Sequence, residues 1–176
     1  MKQKAILSKD VALIGILAAL SVVLGIVVLP VLMSLPLPIF KPIVLAPLFS
    51  LVVMGLMERT NKKGAVSLLA IVKGGLLSFF SPVMFLIVVF AGVCTEIINI
   101  ILLSENSNNK KIIVSAAYSA FHVPFGVLFA NVLLGYEFLA FFSTILLTIL
   151  AFCVGGLANI LMFKFIINKA FKASKS

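Results

Sequence analysis

The 176 residues are 63% hydrophobic and 11% charged, which leaves no room for a soluble domain beside the membrane spans that so much apolar sequence makes. A net charge of +9 would point to nucleic acid in a soluble chain. Here the basic residues lie in short connections between apolar runs, where anionic headgroups account for them, so a lipid bilayer and no nucleic acid is expected as partner. Cys94 and Cys153 sit inside apolar runs with no CxxC or His-rich spacing, which excludes a disulfide framework and a zinc site and leaves them as packing residues.

Six apolar runs follow in chain order, at about 11–31, 39–57, 64–80, 82–103, 112–134 and 138–163, and they predict an all-α, single-domain bundle of six transmembrane helices. A helix needs about 20 residues to cross a hydrocarbon core of about 30 Å, so the second and third spans are short and need local thinning or flanking residues drawn into the interface. Run 11–29 exceeds the apolar length of a signal peptide and meets no A-x-A-like site before Pro30, so it reads as a retained span.

The connections alternate in charge. Lys2, Lys4 and Lys9 precede the first span, Arg59, Lys62 and Lys63 separate the second from the third, Lys110 and Lys111 separate the fourth from the fifth, and Lys164, Lys169, Lys172 and Lys175 follow the sixth. The connections around Pro36, Ser81 and Gly135 carry one Lys at most. The positive-inside rule therefore puts both termini in the cytoplasm of a multi-pass cell-membrane protein.

The first span opens at Ser8, Lys9 and Asp10, where Ser8 or Asp10 can cap the first turn. Ala12, Gly15 and Ala19 fall on one face of it and Ala18, Ser21 and Gly25 on another, the spacing that allows close helix approach. Such faces can pack against the protein's own helices or dock a partner. Four prolines then punctuate LPVLMSLPLPIFKP, an apolar stretch expected to stop the helix and to fold back over the outer mouth of the bundle, unless it is a tight Pro-rich turn. ERTNKK is a solvated turn, and Ser81-Pro82 closes an antiparallel hairpin of spans three and four.

Charged groups at bilayer depth are costly unless paired or hydrated, so they are the candidates for function. Lys73 lies roughly 13 Å deep in span three, His122 roughly 15 Å deep in span five, and Glu96 roughly 10 Å deep in span four. A Lys73–Glu96 ion pair across the hairpin is one expectation, with His122 held by a neighbouring carbonyl. The other is a substrate cavity into which Lys73, His122 and Asn131 project, with Lys41 and Glu137 at its mouth and Phe79, Phe80, Phe85, Phe121, Phe125 and Tyr136 as walls. No HExxH, paired carboxylate, GxSxG or phosphate-loop pattern occurs, so no catalytic residue, metal or cofactor is expected, and the chain is not read as an enzyme.

Six short helices, basic termini, a small-residue first helix reading LSKDVALIGILAALSVVLG and an apolar Pro-rich first outer loop together resemble the S components of energy-coupling factor (ECF) transporters. That resemblance implies an outward-facing site for a vitamin or related micronutrient, and docking on a transmembrane coupling protein served by two cytoplasmic ATPase subunits. The family docks through Ala-x-x-x-Ala on helix one; this chain offers Gly15-x-x-x-Ala19, with Ala12 on the same face. Lys41, Lys73 and His122 favour a ligand that carries a carboxylate or other anion. The competing readings are a homo-oligomeric channel or proton-coupled carrier, and a small membrane enzyme using Glu96 and His122.

Overall fold

The computed structural model describes residues 7–34, 41–60, 62–102, 108–134 and 141–173. They form six helices, α1 (Ser8–Met33), α2 (Lys41–Arg59), α3 (Ala65–Ser78), α4 (Pro82–Ile101), α5 (Asn108–Leu134) and α6 (Phe141–Ala173), with no strand among the described residues. Each predicted apolar run corresponds to one helix. Five are long and apolar enough to cross a membrane.

The exception is α3, expected over 64–80. Its 14 residues span about 21 Å, short of a core of about 30 Å. Gly64, at φ 83°, sets its start in a left-handed conformation that suits a residue without Cβ. At its other end the Phe80 and Ser81 amides both donate to Leu77 O, and the chain turns into Pro82 at the first position of α4. Span three is thus the short arm of a hairpin.

One proline expectation changes and one position is explained. The first helix does not stop at Pro30: it runs to Met33, because the ring removes only its own donor while Pro30 O still accepts the Ser34 amide at 3.3 Å. Pro42 sits in the first turn of α2, where its missing N–H has no intrahelical partner to lose. The segment expected to cover the outer mouth, residues 35–40, lies outside the described residues. The helix expected over 138–163 extends to Ala173.

At the centre of the bundle α5 packs against α2, α4 and α6, while α3 packs against α4 and α1. Where helices meet closely, small residues make the contact. A Cβ added to Gly92 of α4 would overlap the Ala70 side chain of α3, and one added to Gly155 of α6 would lie 2.5 Å from Ser119 Oγ of α5. Ser50 of α2 completes that second junction by donating to Gly155 O at 3.1 Å. Cys153, expected to pack, is exposed on the outer surface of α6.

The basic connections gather at one end. Lys62 pairs with Asp10 at 2.5 Å and Lys111 with Glu58 at 2.9 Å, tying the start of α1 to the α2–α3 turn and the end of α2 to the start of α5. Asp10 also accepts the Leu7 amide at 2.8 Å, so it closes the first turn, whereas Ser8 is already inside the helix.

Candidate functional site

Phe49 of α2, Lys73 of α3, and Tyr118 and His122 of α5 meet inside the bundle. Tyr118 and His122 are four residues apart, hence on one face of α5. Lys73 is 2% exposed, and its Nζ lies 3.3 Å from the Phe49 ring centroid and 5.5 Å from that of Tyr118. The His122 ring stands 4.8 Å from Phe49 and 4.7 Å from Tyr118, centroid to centroid.

Nδ1 of His122 is 2.7 Å from Tyr118 O. A carbonyl only accepts, so Nδ1 carries the proton and Nε2 is the acceptor of the neutral ring. His122 Nε2 and Tyr118 Oη, both buried, have no hydrogen-bond partner among the described residues. Lys73 likewise makes no hydrogen bond or ion pair there; its contacts are the two ring faces. Ring faces contribute about 0.5–2 kcal/mol to a cation, against several kcal/mol for taking an ion out of water. Among the described residues no carboxylate pairs with this buried amine.

The Lys73–Glu96 ion pair does not form. Glu96 instead accepts the amides of Gly64 (2.9 Å), Val66 (3.0 Å) and Ser67 (3.3 Å), together with Asn99 Nδ2 at 3.0 Å. It thereby satisfies the free donors at the start of α3 and meets the positive end of that helix. Lys73 is two turns further along α3, roughly 10 Å from Val66 at 1.5 Å per residue. A short α3 that needs a cap explains why the carboxylate went to the backbone.

Of the predicted substrate-site residues, Lys73 and His122 come together, and Lys41 and Asn131 stand apart from them. Lys41 begins α2, eight residues or about 12 Å before Phe49, and Asn131 is exposed on α5, nine residues or about 13 Å beyond His122. Both lie toward the end opposite the basic cluster. Tyr136 and Glu137 lie outside the described residues.

Among the predicted wall residues, Phe79 and Phe80 point out of the bundle at the α3–α4 turn, and Phe85 packs against Gly74 of α3. Phe121 and Phe125 join Phe90 and Phe129 in an aromatic row between α4 and α5. Phe49 and Tyr118, which do contact Lys73, were not singled out from the sequence. The spacing of Tyr118 to His122 was the available signal for one of them.

The two small-residue faces of α1 part company. Ala18 and Ser21 are buried, while Ala12 and Ala19 are exposed; nothing lies within 4 Å of a Cβ built on Gly15, nor on Gly25 at the far end of the buried face. Ile16, Val23 and Val27 are also exposed, so most of α1 is uncovered by the rest of the bundle.

Residues 8–144 match the model of a family of hypothetical bacterial integral membrane proteins (Trep_Strep). The match covers most of the chain, and the chain belongs to that family. No curated protein and no solved structure matches it.

Proposed function

From membership of a family of bacterial integral membrane proteins, we propose that the chain is the substrate-binding S component of an ECF-type importer. It would capture a vitamin or related small acid at the outer face and deliver it through a transmembrane coupling protein driven by two ATPase subunits. The observation that carries this reading is the buried Lys73 amine, which has no carboxylate partner among the described residues and lies in a cluster with two unpaired polar atoms, Tyr118 Oη and His122 Nε2. A receptor that takes up an anion needs such a group, and a channel that passes ions would keep it hydrated.

The partner half of the reading rests on α1. In lipid, helices associate through close contact of small residues, and Ala12, Gly15 and Ala19 offer such a surface unoccupied. In this orientation the basic end faces the cytoplasm, where the ATPase subunits work.

Affinity purification of the tagged chain from native membranes tests the proposal. A coupling protein and two ATPases should co-elute in stable stoichiometry. A chain that elutes alone or as a homo-oligomer, and transports without nucleotide, would overturn it in favour of the channel or carrier.

A further inference from the structure

A cavity of about 380 Å³ lies between α2 and α6 at the basic end of the bundle. Leu51, Met54, Gly55, Glu58 and Arg59 recur at three- and four-residue steps, so one face of α2 lines it from the middle of the helix to its last turn. Asn159, Met162 and Phe163 line it from α6 with the same spacing. Asn159 is fully buried and borders the side toward α5, where its Nδ2 donates to Ser115 Oγ at 2.6 Å. Glu58 and Arg59 are exposed and mark the end that opens outward. Between them and Leu51 the walls are apolar, and nothing lies within 4 Å of a Cβ built on Gly55, which keeps the groove open.

The two charges at the exposed end differ. Lys111 Nζ lies 2.9 Å from Glu58 Oε2, whereas Arg59 makes no ion pair or hydrogen bond among the described residues. A guanidinium is always charged, and its fork of N–H donors matches a phosphate. An exposed Lys164 follows Phe163 on α6 and adds to the positive charge there. A helix about 10 Å across does not enter a space of this volume, while a flexible chain does. We propose that the groove binds one acyl chain of an anionic phospholipid, with the headgroup phosphate on Arg59. A zwitterionic lipid fits the groove equally well but brings a cation that offsets its phosphate, so Arg59 selects the anionic one. The site is independent of the importer reading, since a channel or carrier built on this bundle would present the same groove.

The chain contains no Trp, so a single introduced Trp is its sole indole emitter. Met162→Trp puts the probe on a half-exposed position of the groove, and Leu161→Trp puts it one residue away, exposed and outside the lining. Each protein is reconstituted in vesicles of equal parts phosphatidylglycerol and phosphatidylcholine, with bromine on the acyl chains of one lipid or the other. Quenching then reads the ratio of the two lipids at that position. Met162→Trp should favour phosphatidylglycerol about fivefold more than Leu161→Trp does, which is what one basic group near the surface contributes. Adding Arg59→Gln should bring the ratio down to that of Leu161→Trp, and Arg59→Lys should keep most of it.

Gly55→Leu fills the groove without meeting a neighbour, so it should keep the melting temperature and abolish the preference seen with Met162→Trp. Should Gly55→Leu fail to fold, Arg59→Gln carries the test, because Arg59 is exposed and its replacement disturbs no contact in the bundle. Equal ratios for Met162→Trp and Leu161→Trp would overturn the proposal. So would a preference that survives Arg59→Gln, which would assign the anion to other basic residues such as Lys164, or one that survives a folded Gly55→Leu, which would put the lipid outside the groove. Little quenching of Met162→Trp by either brominated lipid would also overturn it, since protein, such as a second copy of the chain, would then cover the groove.

Discussion

The α3–α4 hairpin and α1 are built with the same small residues and end in opposite surroundings. In the hairpin, Gly92 lies so close to Ala70 that no side chain fits, and Glu96 closes the start of α3 on its backbone. On α1, Gly15 faces open space between exposed Ala12 and Ala19. Spacing of small residues permits close approach but does not say whether the approaching helix belongs to the same chain. Burial decides that, and it assigns one contact to folding and leaves the other for assembly.

The sharpest way to break the closed half is at Glu96. Each buried donor left without a partner costs about 1–3 kcal/mol, and Glu96→Ala strands the amides of Gly64, Val66 and Ser67 near the start of a helix of only 14 residues. We expect the largest drop in melting temperature in detergent of any variant considered, with Glu96→Gln intermediate because one acceptor oxygen remains. Gly92→Leu comes next. Overpacking a close contact costs about 1–3 kcal/mol and more where backbone must move, so thermal unfolding should occur well below wild type. A Gly92→Leu protein as stable as wild type would mean that α3 and α4 do not pack at this distance.

Much of this was legible in the sequence, and the misses share a cause. The six apolar runs and the gathering of basic turns at one end follow from patterns along the chain, which local composition carries. Lys73 and His122 stood out because ionisable residues in an apolar run are rare. What the runs could not carry was which polar groups would meet. Depth alone made Lys73 and Glu96 plausible partners; the capping need of a short α3 took Glu96 elsewhere. Phe49 was hidden among 16 phenylalanines of equal hydrophobicity, since only the crossing of α2 and α3 distinguishes it.

Lys73→Met separates the site from both halves of the comparison. Because Lys73 has no ionic partner among the described residues, an apolar side chain of similar length should leave melting temperature unchanged or raise it. Adding Glu96→Gln should give an additive double mutant, with coupling below about 0.5 kcal/mol. Coupling of about 3 kcal/mol, measured by thermal unfolding of the two singles and the double, would restore the ion pair that the hydrogen bonds of Glu96 argue against.

The smallest effect on stability, and the most informative for assembly, is expected at Gly15. Nothing lies within 4 Å of a Cβ placed there, so Gly15→Leu adds apolar surface toward lipid without moving a neighbour, and its melting temperature should match wild type. Retention of small acids by the isolated protein should stay within a few-fold, because Lys73, Tyr118 and His122 lie on α3 and α5. If α1 is the docking helix, the added side chain holds a partner helix away from Ala12 and Ala19, and co-elution of other subunits and uptake by cells should both be lost. If the same variant unfolds early, the face packs within the chain. If it is stable and still takes up substrate, docking uses another surface, and the difference between α1 and the hairpin is one of lipid exposure alone.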